Sequence, residues 1–189
     1  MIRIGVIGDI GSGKSYVANN FGYPVFNADQ EVSNLYKKNR KIFRSLNKLI
    51  PKYIVSFPID KREISNAILA NQINLKKIVK VVHKEIRKKM KLFLLKNRNR
   101  KIIILDIPLL LENKINNNKD ILVYVDSKKT NINKRLKNRL NFNNKLFAKL
   151  KRIQLPIDYK KRKAHFIIKN DFTKKSVKIG IKKILNKIK

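Results

Sequence analysis

The sequence predicts an α/β fold: a three-layer α/β/α arrangement around a mostly parallel sheet. Short runs dense in aliphatic and β-branched residues recur at Arg3–Ile7, Pro24–Asn27, Lys101–Asp106 (KIIILD), Ile121–Asp126 (ILVYVD) and Ala164–Ile168. These runs are apolar without alternation, the pattern of strands covered on both faces by crossover helices. Between them lie stretches with apolar residues at helical spacing, so strands and helices alternate along the chain. At 189 residues and 43% hydrophobic, the chain suits one domain of ordinary size with room for an insertion.

In order, the first run opens into a loop, Gly8 to Gly13, and then a helix from Lys14 to about Phe21. Pro24–Asn27 forms a second strand, and Asp29 is expected to cap the helix that follows. Residues 30 to 98 read as almost wholly helical, broken near Pro51 and Pro58. Within them Leu75, Ile78, Val82, Ile86, Met90, Phe93 and Leu94 predict one long amphipathic helix. This stretch is too long for a simple crossover and is expected to form a helical subdomain. After KIIILD, residues 113–119 read as a polar surface loop, and ILVYVD is the next strand. Residues 130 to 163 read as charged and helical with an Asn-rich break at 141–144. A short strand and a basic helix close the chain. The expected organisation is a core of residues 1–29, 100–129 and 164–189, a helical subdomain at 30–99, and a lid with its return helix at 130–163.

The net charge of +35 has two readings. One is attraction to polyanions or steering of anionic substrates. The other is compositional drift: Lys (36), Ile (28) and Asn (23) all have AT-rich codons, and the lysines run along the whole chain rather than in one tail. The absence of cysteine excludes disulfides, thiol chemistry and Cys-based zinc sites. No apolar run approaches the length of a membrane span, and Met1–Ile4 leads directly into a glycine-rich pattern with no leader before it. The expectation is a cytoplasmic protein.

That pattern, Gly8-Asp9-Ile10-Gly11-Ser12-Gly13-Lys14-Ser15, matches G-x-x-x-x-G-K-[ST] in full. Glycines let successive backbone N–H groups turn inward and approach a phosphate closely. The helix starting near Lys14 adds its positive end. Gly11, Ser12, Gly13, Lys14, Ser15 and Tyr16 are therefore candidate ATP-binding residues. Lys14 would reach the β- and γ-phosphates, and Ser15 would ligate Mg²⁺. The motif leaves three classes open: small-molecule kinase, GTPase and nucleic-acid-acting ATPase. A guanine-reading N-K-x-D is only imitated by Asn118-Lys119-Asp120, which lacks the spacer and precedes its strand. The chain is short for a motor ATPase, so a small-molecule kinase fits best.

Other residues suit the same chemistry. Asp29 follows the second strand, at the end of the sheet where a phosphate site lies. Its carboxylate could take a proton from an attacking hydroxyl, help hold Mg²⁺, or simply cap a helix. His83 and Arg87 lie four apart on one helix face, able to grip an anionic ligand or to stand as a solvated basic face. Asp106-Ile107-Pro108-Leu109-Leu110-Leu111-Glu112 sets a carboxylate at a strand end before a proline-fixed turn, which suits a site loop, although the leucines could equally cover core. Arg135 and Arg139 could fold over a transferring phosphate or form an exposed basic face.

Together these residues resemble dephospho-CoA kinase over nearly the whole chain. The resemblance runs through G-D-I-G-S-G-K-S at 8–15, x-A-D at 27–29, H-x-x-x-R at 83–87, D-I-P-L-L-L-E at 106–112 and R-L-x-x-R at 135–139. It ends in R-I-Q-L-P…K…A-x-F-I-I-x-N from Arg152 to Asn170. It implies a phosphate-loop core, a helical CoA-binding insertion and a mobile lid. It also implies transfer of the ATP γ-phosphoryl group to the ribose 3′-hydroxyl of dephospho-CoA, with Mg²⁺ as cofactor. Asp29 would be the catalytic carboxylate, beside Lys14 and a lid arginine, Arg139. His83, Arg87, Asp106, Pro108, Leu109 and Glu112 would border the acceptor. ATP and dephospho-CoA would be the partners of a monomer, with no specific nucleic acid and no membrane. The chain departs from the family pattern at Asn27 (usually Asp), Tyr16 (usually Thr), Lys84 (usually Pro) and His165 (often Asp). A second reading stays open, a basic nucleotide-binding protein acting on nucleic acid; bulk charge alone speaks for it.

Overall fold

The computed structural model describes residues 1–138 and 142–188. It divides into two compact units, one of Met1–Asn27, Asn97–Phe142 and Lys151–Lys189, the other of Ala28–Lys96 and Asn143–Leu150.

The first unit is built on five parallel strands: β1 (Ile2–Gly8), β2 (Val25–Asn27), β3 (Ile102–Asp106), β4 (Ile121–Asp126) and β5 (Phe166–Lys169), in the order β2-β3-β1-β4-β5. The parallel, layered arrangement expected from the apolar runs is what forms. One face sets Ile4, Val6, Ile102, Ile104, Val123, Val125 and Ile168 against Val17 and Ala18 of α1 (Lys14–Asn20), Phe21 just after it, and Val177, Ile181 and Ile184 of α9 (Lys174–Ile188). The strands' period of two sends Gly5, Ile103, Leu105, Leu122 and Tyr124 to the other face. Tyr124 there carries Lys161 of α8 (Ile157–Lys163) 5.5 Å above its ring. The first unit also holds α6 (Lys129–Lys137) and the end of α7 (Asn144–Arg152). Arg139 lies outside the described residues.

Register brings the strand ends together. Val6 pairs with Asp106, Gly8 with Val125, and Asn27 with Asp106. The carboxyl ends of the strands thus carry Asn27, Asp106, Asp126 and the loop after Gly8, the edge where α/β sheets bind ligands. At the opposite edge Asp120 is buried, 2.9 Å from Arg3 Nε, and accepts from the Asn117 amide. Burial pushes its carboxyl above the usual range, while the Asn117 amide and then Arg3 oppose that shift. Asp120 stands at the amino end of β4, away from the loop after β1, so Asn118-Lys119-Asp120 reads no base.

The second unit packs α2 (Ala28–Lys38), α3 (Arg40–Leu49) and α4 (Lys61–Ala70) around the long α5 (Gln72–Lys96). The predicted long helix forms, but its fully buried positions are Asn74, Ile78, Val82 and Ile86; Phe93 and Leu94 are only half-buried. Asn74 enters the stripe because its side-chain amide satisfies the Ala67 carbonyl at 3.1 Å. Helix ends are closed by lysines, Lys77 on Leu49 O and Lys149 on Ile68 O and Leu69 O, where the helix dipole favours a cation. Asp29 is not a cap. The helix begins at Ala28, which is buried, so Asp29 is an exposed first-turn carboxylate.

Candidate active site

The phosphate loop is shaped by its glycines and braced from behind. Gly11 and Gly13 sit at φ 84° and 92°, in the left-handed region. A Cβ on Gly11 would stand 3.0 Å from Ile132 and 3.2 Å from Leu136 of α6, and one on Gly13 would collide with the Asn170 side-chain amide. Neither position takes a side chain. Ser12 is 1% exposed, and its carbonyl accepts two hydrogen bonds, from Ser127 Oγ at 2.9 Å and Asn170 Nδ2 at 2.8 Å. These donors come from the ends of β4 and β5, so the sheet itself holds the loop's shape. Within the loop, Asp9 Oδ1 accepts from the Ile10 amide at 2.8 Å and Asp9 O from the Ser12 amide at 3.2 Å.

Lys14 folds back over this loop, its Nζ donating to Asp9 O at 2.7 Å and Gly8 O at 3.3 Å. Ser15 is exposed on the first turn of α1, while the Tyr16 ring packs against the sheet core. Arg135 lies with its guanidinium 5.1 Å above the Phe172 ring. Its Nη1 is 3.4 Å from where a Gly13 Cβ would stand. Phe172 is held at φ 70° while its amide donates to Asn170 Oδ1 at 2.9 Å. Asn170 thus braces the loop with one end of its side chain and sets Phe172 with the other. Lys151 Nζ is 3.9 Å from Asp9 Oδ2.

Asp106 is 3% exposed and accepts from Asn27 Nδ2 at 2.7 Å. An amide at position 27 therefore supplies a donor where a second carboxylate would have met Asp106 as a like charge. In the turn that follows, Pro108 and Leu109 are half-buried and Leu110 is wholly buried. Glu112 forms an ion pair with Lys160 at 2.8 Å. His165, one of the departures from the family pattern, is structural. Its amide donates to Leu122 O and its Nδ1 accepts from the Leu122 amide, which extends the β4–β5 pairing.

In the second unit, His83 and Arg87 do share a face of α5, with Val79, Lys80, Lys84, Lys88 and Lys91, along an open groove of ≈ 450 Å³. Burial, and then Arg87, pull the His83 imidazole below its ordinary value of 6.5. It is neutral at pH 7 and can accept as well as donate a hydrogen bond. Lys88 is partly engaged by Glu85 at 2.8 Å.

The donor set bears on the metal. Among the described residues no group of three or more His, Cys, Asp or Glu could hold an ion. An exposed Ser15 hydroxyl at the phosphate loop suits a cation that arrives with the nucleotide, held mostly by phosphate oxygens and water, as magnesium usually is. Ser127, Asn170, Phe172, Gln154 and Lys160 are the residues that sequence reasoning gave no role. The signal for Gln154 and Asn170 was their place in the family-like pattern at 152–170, which names positions without naming contacts.

A parallel sheet with order β2-β3-β1-β4-β5 and a complete phosphate loop after its first strand define a P-loop nucleotide-binding protein of the α/β class. The chain belongs to the dephospho-CoA kinase family, whose model matches residues 2–176. It is 33% identical over 190 residues to a dephospho-CoA kinase of Wolbachia pipientis wMel, covering 98% of this chain and 97% of that one. A crystal structure of a Thermus thermophilus protein is similar at TM-score 0.78 and 25% identity, over 100% of this chain and 98% of that one. The dephospho-CoA kinase of Campylobacter jejuni shares the fold at TM-score 0.65 and 20% identity, over 98% and 96% of the two chains. The protein is a phosphotransferase of the coenzyme A pathway, and the nucleic-acid reading gains nothing from these likenesses. Among the described residues no helix is long and apolar enough to cross a membrane.

Proposed function

We propose that this chain uses Mg²⁺-bound ATP to phosphorylate the ribose 3′-hydroxyl of dephospho-CoA, with the site residues named from the sequence. The observation that supports the reading is the phosphate loop, shaped by its glycines and with Lys14 folded over it, in a chain of this family. In the reaction the 3′-hydroxyl oxygen bonds to Pγ, the bond from Pγ to the bridging oxygen breaks, and ADP leaves. Asp29 takes the hydroxyl proton. The backbone amides of Gly11 to Ser15 and the Lys14 ammonium bind the phosphates. Ser15 holds Mg²⁺, with Asp29 as a second candidate ligand; when bound, the ion neutralises charge on the phosphate oxygens. The Tyr16 backbone belongs to the same first turn of α1. Arg139 is assigned from sequence to the transferring phosphate.

His83 and Arg87 serve the acceptor, as do Asp106, Pro108, Leu109 and Glu112 of the turn after β3. In this scheme residues 30–99 form the acceptor-binding subdomain and 130–163 the lid. The enzyme would act as a cytoplasmic monomer. The test is ADP release with Mg²⁺, with and without dephospho-CoA. Stimulation by dephospho-CoA with appearance of coenzyme A is expected. Release indifferent to dephospho-CoA but raised by RNA or DNA overturns the proposal.

A further inference from the structure

Glu112 closes the turn that Asp106 opens, and it faces inward. Its Oε1 accepts from the Leu155 amide at 3.0 Å and lies 2.8 Å from Lys160 Nζ. Lys160 also donates to Gln154 Oε1 at 3.3 Å. The two charged side chains are 9% and 3% exposed. Among the described residues Lys160 is the only buried lysine, in a chain that has 36.

A buried ion pair adds little stability over apolar residues of the same volume, but it can fix register, because each charge needs a specific partner. Here the register is that of residues 106–115. Asp106 seats one end of the turn in β3. Leu110 seats the middle, so tightly over Gly5 that a Cβ there would stand 2.6 Å from Leu110 Cδ2. Amides of Leu110, Asn113 and Ile115 close the turn on Ile107 O, Leu109 O and Leu110 O at 3.2, 3.1 and 3.0 Å. Beyond these bonds within the turn, Glu112 ties the far end to the rest of the unit, and Lys160 holds Glu112 from α8. Gln154 and the Leu155 amide complete the polar shell, so the pair is hydrogen-bonded as a buried charge must be.

We propose that Lys160 is a positioning residue for the acceptor. Acting through Glu112, it sets the pose of the Asp106–Glu112 turn and thereby the affinity for dephospho-CoA, without touching either substrate. The proposal rests on the functional reading above, in which that turn borders the acceptor.

The test is the double variant Glu112→Gln/Lys160→Met, which removes both charges at nearly constant volume, keeps a polar oxygen at position 112 for the Leu155 amide and the acceptor, and so spares the fold the cost of one stranded charge. It should fold and melt no lower than the wild type. Displacement of a positioning loop should raise KM for dephospho-CoA about ten- to a hundredfold. Kd for a fluorescent ATP analogue, measured without acceptor, should not change. Amide exchange should quicken at Leu110, Asn113 and Ile115 but not at Ile4 or Val6. An unchanged acceptor KM in the folded variant overturns the proposal, as does a parallel loss of ATP affinity. A double variant that fails to fold also overturns it, making the pair a folding requirement alone. A wild-type enzyme that ignores dephospho-CoA would sink the functional reading instead, and that result comes before any variant is made.

Discussion

The phosphate loop and the cationic face of α5 both offer positive potential to an anion, and they do so by opposite means. The loop relies on geometry. Gly11 and Gly13 take left-handed backbone angles that strain other residues, and Ser127 and Asn170 hold the Ser12 carbonyl from behind. The α5 face relies on number: Lys80, Lys84, Arg87, Lys88 and Lys91 line an open groove beside one half-buried histidine. Preorganised amides act on charge without reorganising and are little screened, whereas exposed side-chain charges are weak and fade with salt. A binding surface made of lysines is cheap for a chain of this composition to produce. A loop that fixes one atom pattern is not.

The largest effect should fall on neither set of donors, and it separates chemistry from binding. Asp29→Asn keeps the shape of an exposed first-turn residue, so the fold should survive with a small loss of helix-dipole energy, about 0.3–1 kcal/mol. Loss of a general base costs about 10²–10⁴-fold in turnover. Single-turnover assays beside thermal melts measure both, and full turnover in this variant would reduce Asp29 to a helix-end charge.

Lys14→Ala comes next. It removes the ammonium proposed to meet the transferring phosphate, a change expected to cost about 10²–10³-fold in kcat. The loss should be the same at low and high salt, with an unchanged circular dichroism spectrum. A loss that vanishes at high salt would make the loop another charge patch. Asn170→Ala tests the brace itself. It strands part of a buried carbonyl and should lower stability by about 1–3 kcal/mol. It should also weaken ATP binding although Asn170 carries no charge, as denaturant midpoints and titration calorimetry would show. Unchanged ATP affinity would mean that the loop holds its shape alone.

On the other side of the comparison, Arg87→Ala should raise KM for dephospho-CoA about two- to fivefold at low salt, the worth of an exposed charge pair, and less as salt rises. Neutralising exposed Lys182 and Lys183 on α9 is the bulk-charge control; equal effects would remove any special role for Arg87. The smallest effect is a pH dependence. The folded state holds the His83 imidazole below its ordinary value of 6.5. The unfolded chain therefore binds the extra proton first, and stability falls as pH drops below 6.5 towards the folded value. In His83→Gln the slope of melting temperature against pH should be shallower in that window, and an identical slope would mean that other groups cause it.

The sheet was legible because β3 and β4 are unbroken apolar runs, and the loop because its spacing is strict. The start of α2 was misread by one residue. Capping rules favoured Asp29, but the buried methyl of Ala28 lets the helix begin directly at the strand end. On α5 the stripe was read through Leu75 and on to Leu94, whereas Asn74 is buried in place of a leucine because the Ala67 carbonyl next to it needs a donor. The brace and the buried pair were out of reach for a different reason. Ser12 meets Asn170, and Glu112 meets Lys160, across separations that no periodicity reports. Only the strand order brings those residues together.

That separation has a consequence for how the molecule is made. The second brace of Ser12 lies 158 positions later in the chain. At typical elongation rates Asn170 follows about 8–30 s behind. Strand β1 meanwhile has no partner until β3 appears, roughly a hundred residues on, while the helices of residues 28–96 close on local contacts. During that interval the nascent chain carries its nucleotide loop without the Asn170 brace.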